Sequence, residues 1–496
     1  MILLIILLVL IQLEDLQIMF KQSLRSSITI YLFLLGPLTS IVSDVMANTK
    51  PISVPQLINE NNIKFEDIPK IISNNNLELK SLKELVSSAS YNLASKISKR
   101  YPSIDLNANG LPQYLYGKNY NNDLPNTKTS QFKANPSLNL RWDLIDPQRG
   151  LEINSAKKNY EIAKNNYEIK KYDLIQEAKS RYHKFQQSFA SKENASAGVE
   201  LSLLSLKDAQ SKLKIGIGTK FDVLEANSQV ARDKQLLEEE KIKQEINKIA
   251  LKEILNLDFQ KEVNIDSDQK LIGFWNYELN TNINNGLGNS FSLKNISLRG
   301  LIQKNQAKRF KNASLPVIYI SNNLSTSFTK GSTLTTSIDP DDYKSSYLNT
   351  ISLNFTWNIF NGGQNINSSK AKISEFESEK FAYSNLKNIL KTNITETYLN
   401  LIKNQTKVIA TKKEIKSSEE ALRLSRLRYE AGISTLKDVL VRQKELTTAR
   451  TKNINATYNY NINIDKLERL TFLPKNSKCI QTNSDNKNKI YTICDY

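Results

Sequence analysis

Two stretches of this 496-residue chain, 148–315 and 341–473, contain no proline, the residue that most strongly breaks a helix. Within both, apolar residues return at heptad spacing. Tyr160, Tyr167 and Leu174 are answered 216 positions later by Phe376, Tyr383 and Leu390, and Ala178 and Tyr182 by Ile394 and Tyr398. The pattern predicts coiled-coil-type helices. From Leu151 to Leu213 there are 63 residues, about 95 Å of helix at ~1.5 Å per residue, too long for a compact domain. Glycine and proline number only 15 and 12, about 5% of the chain against a usual share of ~12%, which argues against a many-turned sandwich or propeller.

The matching seams belong to a wider repetition. Ser137–Leu144 (SLNLRWDL) corresponds to Ser352–Ile359 (SLNFTWNI), with Trp142 and Trp357 215 positions apart; Pro102 and Pro316 lie 214 apart. Gly216–Leu224 (GIGTKFDVL) corresponds to Gly432–Leu440 (GISTLKDVL), with Asp222 and Asp438 216 apart. Three markers in one order and nearly one register make the chain a duplicated unit. Each unit opens on strands: Leu138, Leu140, Trp142 and Leu144 alternate with polar residues, as do Leu353, Phe355, Trp357 and Ile359. Upstream, Ile104, Leu106 and Ala108 follow Pro102, and Val317–Ile320 follow Pro316, giving two strands per unit and four per chain. Alternation alone leaves two readings open, hairpins on a soluble core or part of a membrane barrel. Four strands cannot close a barrel, so the second reading requires several chains. Glycines at Gly216, Gly218 and Gly432 then supply a tight reversal. Each unit is expected to be a strand pair and a long antiparallel helical hairpin.

At the amino terminus, residues 1–18 read as an extension and Met19 as the expected start. Lys21 and Arg25, the apolar run Ile28–Gly36 and then Val45, Met46 and Ala47 read as a secretory signal peptide with cleavage expected after Ala47, a membrane anchor being the alternative. The remaining chain has no apolar run near the ~18 residues of a spanning helix, but barrel strands leave no such run either. Net charge is +18, and loss of two basic and three acidic leader residues makes it +19. Such a charge fits an anionic partner or simply a solubilising surface. An exported chain whose basic residues are spread along its hairpins is not expected to bind nucleic acid. One histidine, His183, and two cysteines, Cys479 and Cys494, exclude Cys/His zinc sites and argue against Ser-His-Asp or Cys-His catalysis. No enzyme, metal or cofactor is expected. His183, one position past the seam residue Tyr182, is expected on the helix surface.

The run Tyr429–Leu440 (YEAGISTLKDVL), continuing through Gln443 and Glu445 to Ala449 and Arg450, resembles the second-repeat signature of TolC-type outer-membrane efflux proteins. Asn76–Lys80 (NLELK) and Pro102–Leu106 (PSIDL) resemble that family's opening segment, and the likeness extends over roughly residues 70–472. It implies an α+β membrane protein in the outer membrane of a Gram-negative-type envelope. Three chains would form a twelve-stranded barrel continued by a periplasmic α-helical barrel. Leu138, Leu140, Trp142, Leu353, Phe355 and Trp357 would face lipid.

The implied function is the exit duct of a tripartite efflux or type I secretion system. The duct is passive, fed by an inner-membrane pump, proton-driven or ATP-driven, through a periplasmic adaptor protein. The resemblance puts the adaptor contact at the helical tips, Gly216, Ile217, Gly218, Thr219 and Gly432, Ile433, Ser434, Thr435, with the entrance gate at Asp222, Tyr429 and Asp438. Either those aspartates ring the entrance or they cap the helices that restart after each turn. Ser434 and Val441 stand where some members carry an arginine and a further aspartate. In an oxidising periplasm a Cys479–Cys494 disulfide would close 16 residues and stabilise by about 3 kcal/mol in the chain-entropy model. A structural coiled-coil protein of the envelope is the competing reading. It explains the helices but not the paired strands. The substrate is not legible.

The expected organisation is a leader (1–47), an N-terminal periplasmic segment with a first helix (48–101), and repeat 1 (102–257, strand pair 102–146, hairpin 147–257). A linker or equatorial segment with a helix (258–315), repeat 2 (316–472, strand pair 316–361, hairpin 362–472) and a C-terminal tail (473–496) complete it.

Overall fold

The computed structural model describes residues 62–120, 127–260, 262–334 and 343–476. The expected leader, with Met19 and the cleavage point, and both Cys479 and Cys494 lie outside these described residues. In chain order the elements are β1 (Asn62–Ile63), α1 (Ile68–Asn75), α2 (Leu77–Ser98), β2 (Ser103–Asn119), β3 (Thr127–Ile145), α3 (Arg149–Lys214) and α4 (Lys220–Leu255). They continue with β4 (Asn264–Ile265), α5 (Leu279–Asn289), α6 (Phe291–Asn312), β5 (Val317–Leu334), β6 (Tyr343–Thr356), α7 (Gln364–Glu430) and α8 (Leu436–Thr471).

The helices α3 and α7, 66 and 67 residues long, each run about 100 Å at ~1.5 Å per residue. Each is flanked by two shorter helices, α2 and α4 along α3, α6 and α8 along α7. Where α2 meets α4, amides close the break. Asn76 accepts from the Leu79 N–H at 3.1 Å to start α2, and donates to the Ile254 carbonyl at 3.1 Å. The second copy starts α6 with Ser290, which accepts from the Leu293 N–H at 3.3 Å. Both α4 and α8 end on a left-handed residue that is not glycine, Asn256 (φ 53°) and Phe472 (φ 59°). These caps are 216 positions apart and mark the duplication in backbone geometry where residue identity has diverged.

The four long strands form one antiparallel sheet in the order β2-β3-β5-β6. Residues directly opposite share a face, so the register sorts the sheet into two surfaces. One is apolar: Ile104 pairs Leu140, Leu106 pairs Leu138, Leu138 pairs Leu324, Trp142 pairs Ile320, and Ile318 and Ile320 pair Phe355 and Leu353. The other is polar, with rungs Asp105–Asn139–Asn323–Thr350 and Ser103–Arg141–Ser321–Ser352. On it the Asn323 amide donates to Asn139, and the Arg141 guanidinium lies 3.8 Å from the Tyr319 ring centre. A bulge between Asn109 and Gln113 in β2 adds two residues, which keeps the alternation in phase.

Among the described residues no soluble core covers the apolar side. Leu106, Ile351 and Leu353 are each 70–75% exposed, so the reading of two hairpins packed on a core does not describe this sheet. Buried apolar residues cluster elsewhere. One cluster, with Ile63, Ile68, Ile72, Tyr182, Phe185 and Leu255, holds the N-terminal segment and β4 onto α3 and α4; a second, with Leu401, Val408, Tyr460, Ile464 and Leu467, joins α7 to α8. A third joins the ends of both hairpins. His183, expected on the helix surface, is instead 2% exposed, because the belt of segments around α3 covers the face it occupies.

Candidate functional site

The two hairpin turns are built alike from their residues upward. In the first, Gly216 takes φ 80°, a conformation that glycine adopts without Cβ strain, and the Ile217 N–H donates to the Lys212 carbonyl while the Gly216 N–H donates to the Leu213 carbonyl. In the second, Gly432 takes φ 77°, with Ile433 bonded to Arg428 and Gly432 to Tyr429 in the same pattern. Both are Schellman ends. Each is followed at once by a capping box: the Asp222 N–H donates to Thr219 Oγ1 at 3.1 Å and the Thr219 N–H to Asp222 Oδ2 at 3.3 Å. The Thr435–Asp438 pair repeats this at 3.3 and 3.1 Å. Asp222 and Asp438 therefore cap the restarting helices, and the backbone and hydroxyl hydrogen bonds from Thr435 hold the Asp438 carboxyl below its ordinary pKa.

The turns project apolar side chains. Ile217 and Ile433 are 69% and 70% exposed, and Ile215 and Phe221 are exposed beside them. Gly218, Thr219 and Thr435 lie on the same turns; the Ser434 hydroxyl is enclosed, with no hydrogen-bond partner among the described residues. Val441 is exposed.

Tyr429 is buried among Leu422, Leu436 and Leu440 of the cluster that joins the hairpins. Burial raises its phenol pKa first, and the charges of Asp222 and Asp208 add to the effect, so Tyr429 and Asp222 share one neighbourhood. Asp438 bonds to its own turn. Sequence reasoning missed Lys212, whose ammonium donates to the Tyr429 carbonyl and sits 3.9 Å from the centre of its ring, tying the first tip to the second. Nothing local signals a contact between positions 217 apart.

At the other end, the two repeated tryptophans have repeated partners. The Trp142 indole N–H donates to the Arg100 carbonyl at 3.0 Å and the Trp357 indole N–H to the Ser314 carbonyl at 2.8 Å. Each thereby fastens the end of a strand to the chain leaving the preceding helix. Trp142, Phe355 and Trp357 form an aromatic row at this end of the apolar face, and Tyr114, Tyr116, Phe132 and Tyr347 form one toward the far end; all seven are exposed. Leu138, Leu140 and Leu353 lie between the rows. Among the described residues no helix is long and apolar enough to cross a membrane, a criterion that does not bear on strands.

Residues 68–257 and 283–471 match the family model of the outer membrane efflux proteins. The chain belongs to the outer membrane efflux protein family. Solved structures with the same fold include the Campylobacter jejuni CmeC outer membrane channel (15% identity, 86% of this chain and 90% of that one, TM-score 0.69). The outer-membrane channel OprN (14%, 82% and 89%, 0.68) and the outer membrane protein VceC from Vibrio cholerae (13%, 82% and 96%, 0.67) share it too. No curated protein matches the sequence. Members of the outer membrane efflux protein family are transport ducts rather than enzymes, set in the outer membrane and reaching into the periplasm.

Proposed function

We propose that three copies of this chain form a twelve-stranded barrel continued by a helical tunnel, and that this assembly is the passive exit duct of a tripartite efflux or type I secretion system. The observation that carries the reading is the sheet. It has an uncovered apolar face, a polar opposite face and two unpaired edges, β2 and β6. In lipid an unpaired edge costs several kcal/mol per backbone group, so β6 of one copy pairs with β2 of the next until the ring closes. From Phe132 to Trp142 is ten residues, about 33 Å of strand; at the ~40° tilt of such barrels this spans ~25 Å, the height of a lipid-facing band between aromatic girdles. Leu138, Leu140, Trp142, Leu353, Phe355 and Trp357 then face lipid while Asn139, Arg141, Ser352 and Asn354 line the water.

The tips are the periplasmic entrance. Ile217 and Ile433, with the turns that carry them, supply an apolar contact for an adaptor protein that connects the duct to an inner-membrane pump. Asp222, Tyr429 and Asp438 shape the entrance, the aspartates through the turns that they hold. The full-length protein is expected in the outer-membrane fraction as heat-modifiable trimers that give ion conductance in planar bilayers. Monomers in the soluble periplasm would overturn the proposal in favour of a structural envelope protein.

A further inference from the structure

Three segments outside the strand pairs and hairpins converge on α3: β1 with the single 3-10 turn Phe65–Asp67 behind it, the connection 262–278 containing β4, and the residues after α8. β1 and β4 pair in parallel, and Asn476 pairs with Phe274. The only histidine of the chain stands where they meet. His183 Nε2 lies 3.1 Å from Oδ2 of Asp465 on α8, and its Nδ1 lies 3.2 Å from Oε1 of Gln186. The Gln186 amide is oriented from outside, because its Nε2 donates to the Asp266 carbonyl of the connection at 2.8 Å. Oε1 is therefore the atom left for the histidine. Two acceptors, one at each ring nitrogen, are satisfied together by the imidazolium alone; either neutral tautomer sets a lone pair against an oxygen.

Charged groups lie on every element around this ring, Asp465 alone of them bonded to it. From α3, Lys179 reaches Asp465 at 3.4 Å and Glu468 at 2.7 Å. Lys475, beyond α8, lies 4.6 Å from the Phe65 ring centre, and that ring is 4.9 Å from His183. Glu66 comes from the 3-10 turn, and Asp266 and Asp268 from the connection, Asp268 paired with Lys270. Tyr182 stays uncharged, its phenol pushed up to about 12 chiefly by burial.

We propose that His183 is a proton-operated pin: carrying both ring protons it holds α3 to α8 and keeps the Gln186 amide on the Asp266 and Asp268 carbonyls, and loss of the Nδ1 proton sets a lone pair against Gln186 Oε1 and frees 266–268, while Gln269 to Gly273 stay bonded to α8. The sign follows from the geometry. The bond to the connection is complete while the ring is doubly protonated and is lost as pH rises. On the acid side Asp465 sets the limit. Burial pushes its carboxyl up, but the hydrogen bond and charge of His183 and the charges of Lys179 and Lys475 bring it below the ordinary value, so its contribution is lost as pH falls through that lowered value. Lys475, whose ammonium burial pulls below the usual lysine value, gives a separate alkaline step.

A single histidine makes the test direct. In the detergent-solubilised full-length protein, deuterium exchange at the histidine C2–H reports the protonation of His183 alone, and amide exchange in the same samples reports residues 266–268 against 269–274. Over about pH 5 to about pH 8, amide protection of 266–268, corrected for intrinsic exchange, should fall roughly tenfold with the histidine midpoint while that of 269–274 holds. Protection of 436–446 at the tip should stay constant. A His183→Gln protein should show low protection of 266–268 without a step. Protection that stays flat through the histidine titration, or a wild-type step retained by His183→Gln, overturns the proposal; if that variant does not fold, the wild-type titration decides alone.

Discussion

His183 on α3 and Asp465 on α8 have counterparts 216 positions away in the other repeat: Leu399 on α7 and Ile249 on α4. The first pair is buried, 2% exposed each, inside one chain; the second is exposed, 56% and 51%. Within the chain α8 packs on α3, whereas α7 does not pack on α4. In the proposed ring the repeats alternate, so α7 of one copy meets α4 of the next, as α3 meets α8 within a copy. One junction is made by a charged pair, and in the proposed ring its equivalent would be made by apolar side chains. The duplicated scaffold would then use direction and charge where chain connectivity already brings the partners together, and non-directional burial where separate copies must find each other.

Breaking the charged junction should have the largest effect. Asp465→Ala leaves His183 buried without its carboxylate, with Lys179 keeping only Glu468, and should cost about 3–5 kcal/mol, read by denaturant titration of tryptophan fluorescence. On the sheet, Leu353→Arg puts a charge on the apolar face and should cost about 2–4 kcal/mol, seen as loss of assembled trimers from the outer membrane. The neighbouring Ser352→Arg, on the polar face, should assemble and change only conductance. At the apolar junction, Leu399→Ala should remove about 2 kcal/mol of burial per copy and lower the temperature at which trimers dissociate on gels. Dissociation unchanged by it would place the contact between copies elsewhere. The smallest effect belongs to the tips, where Thr219→Ala and Thr435→Ala should each cost about 1 kcal/mol and equally, since both capping boxes have the same geometry. A marked difference in tip amide exchange between them would show that the turns are not equivalent.

What could be read from the sequence follows the same division. Heptad returns, proline-free runs, alternating strands and the Gly-Ile-x-Thr turns carry their structure locally, so helices, strands and tips were legible. The role of Asp222 and Asp438 was legible only as two alternatives, because a short acidic side chain after a turn suits a cap and a pore ring alike; the capping bonds are present in the chain, and a ring would be a property of the assembly. The belt was not legible. His183 and Asp465 are 282 positions apart, Lys212 and Tyr429 217, and neither pair has a spacing that points to the other. The left-handed caps at Asn256 and Phe472 were hidden for another reason: the duplication retained a backbone conformation but different residues, and neither is the glycine by which such a position is usually recognised.

The strand order β2-β3-β5-β6 leaves one edge of each kind on every copy, and this has a genetic consequence. The proposed ring of three would need both edges from all its members, so a copy with β2 blocked, for instance by proline, would still join through β6 and spoil the ring that it enters. Expressed equally with the normal protein, and mixed at random, such a copy would leave about one ring in eight intact. An edge defect in this protein should be dominant, whereas a variant too unstable to pair at all should be recessive.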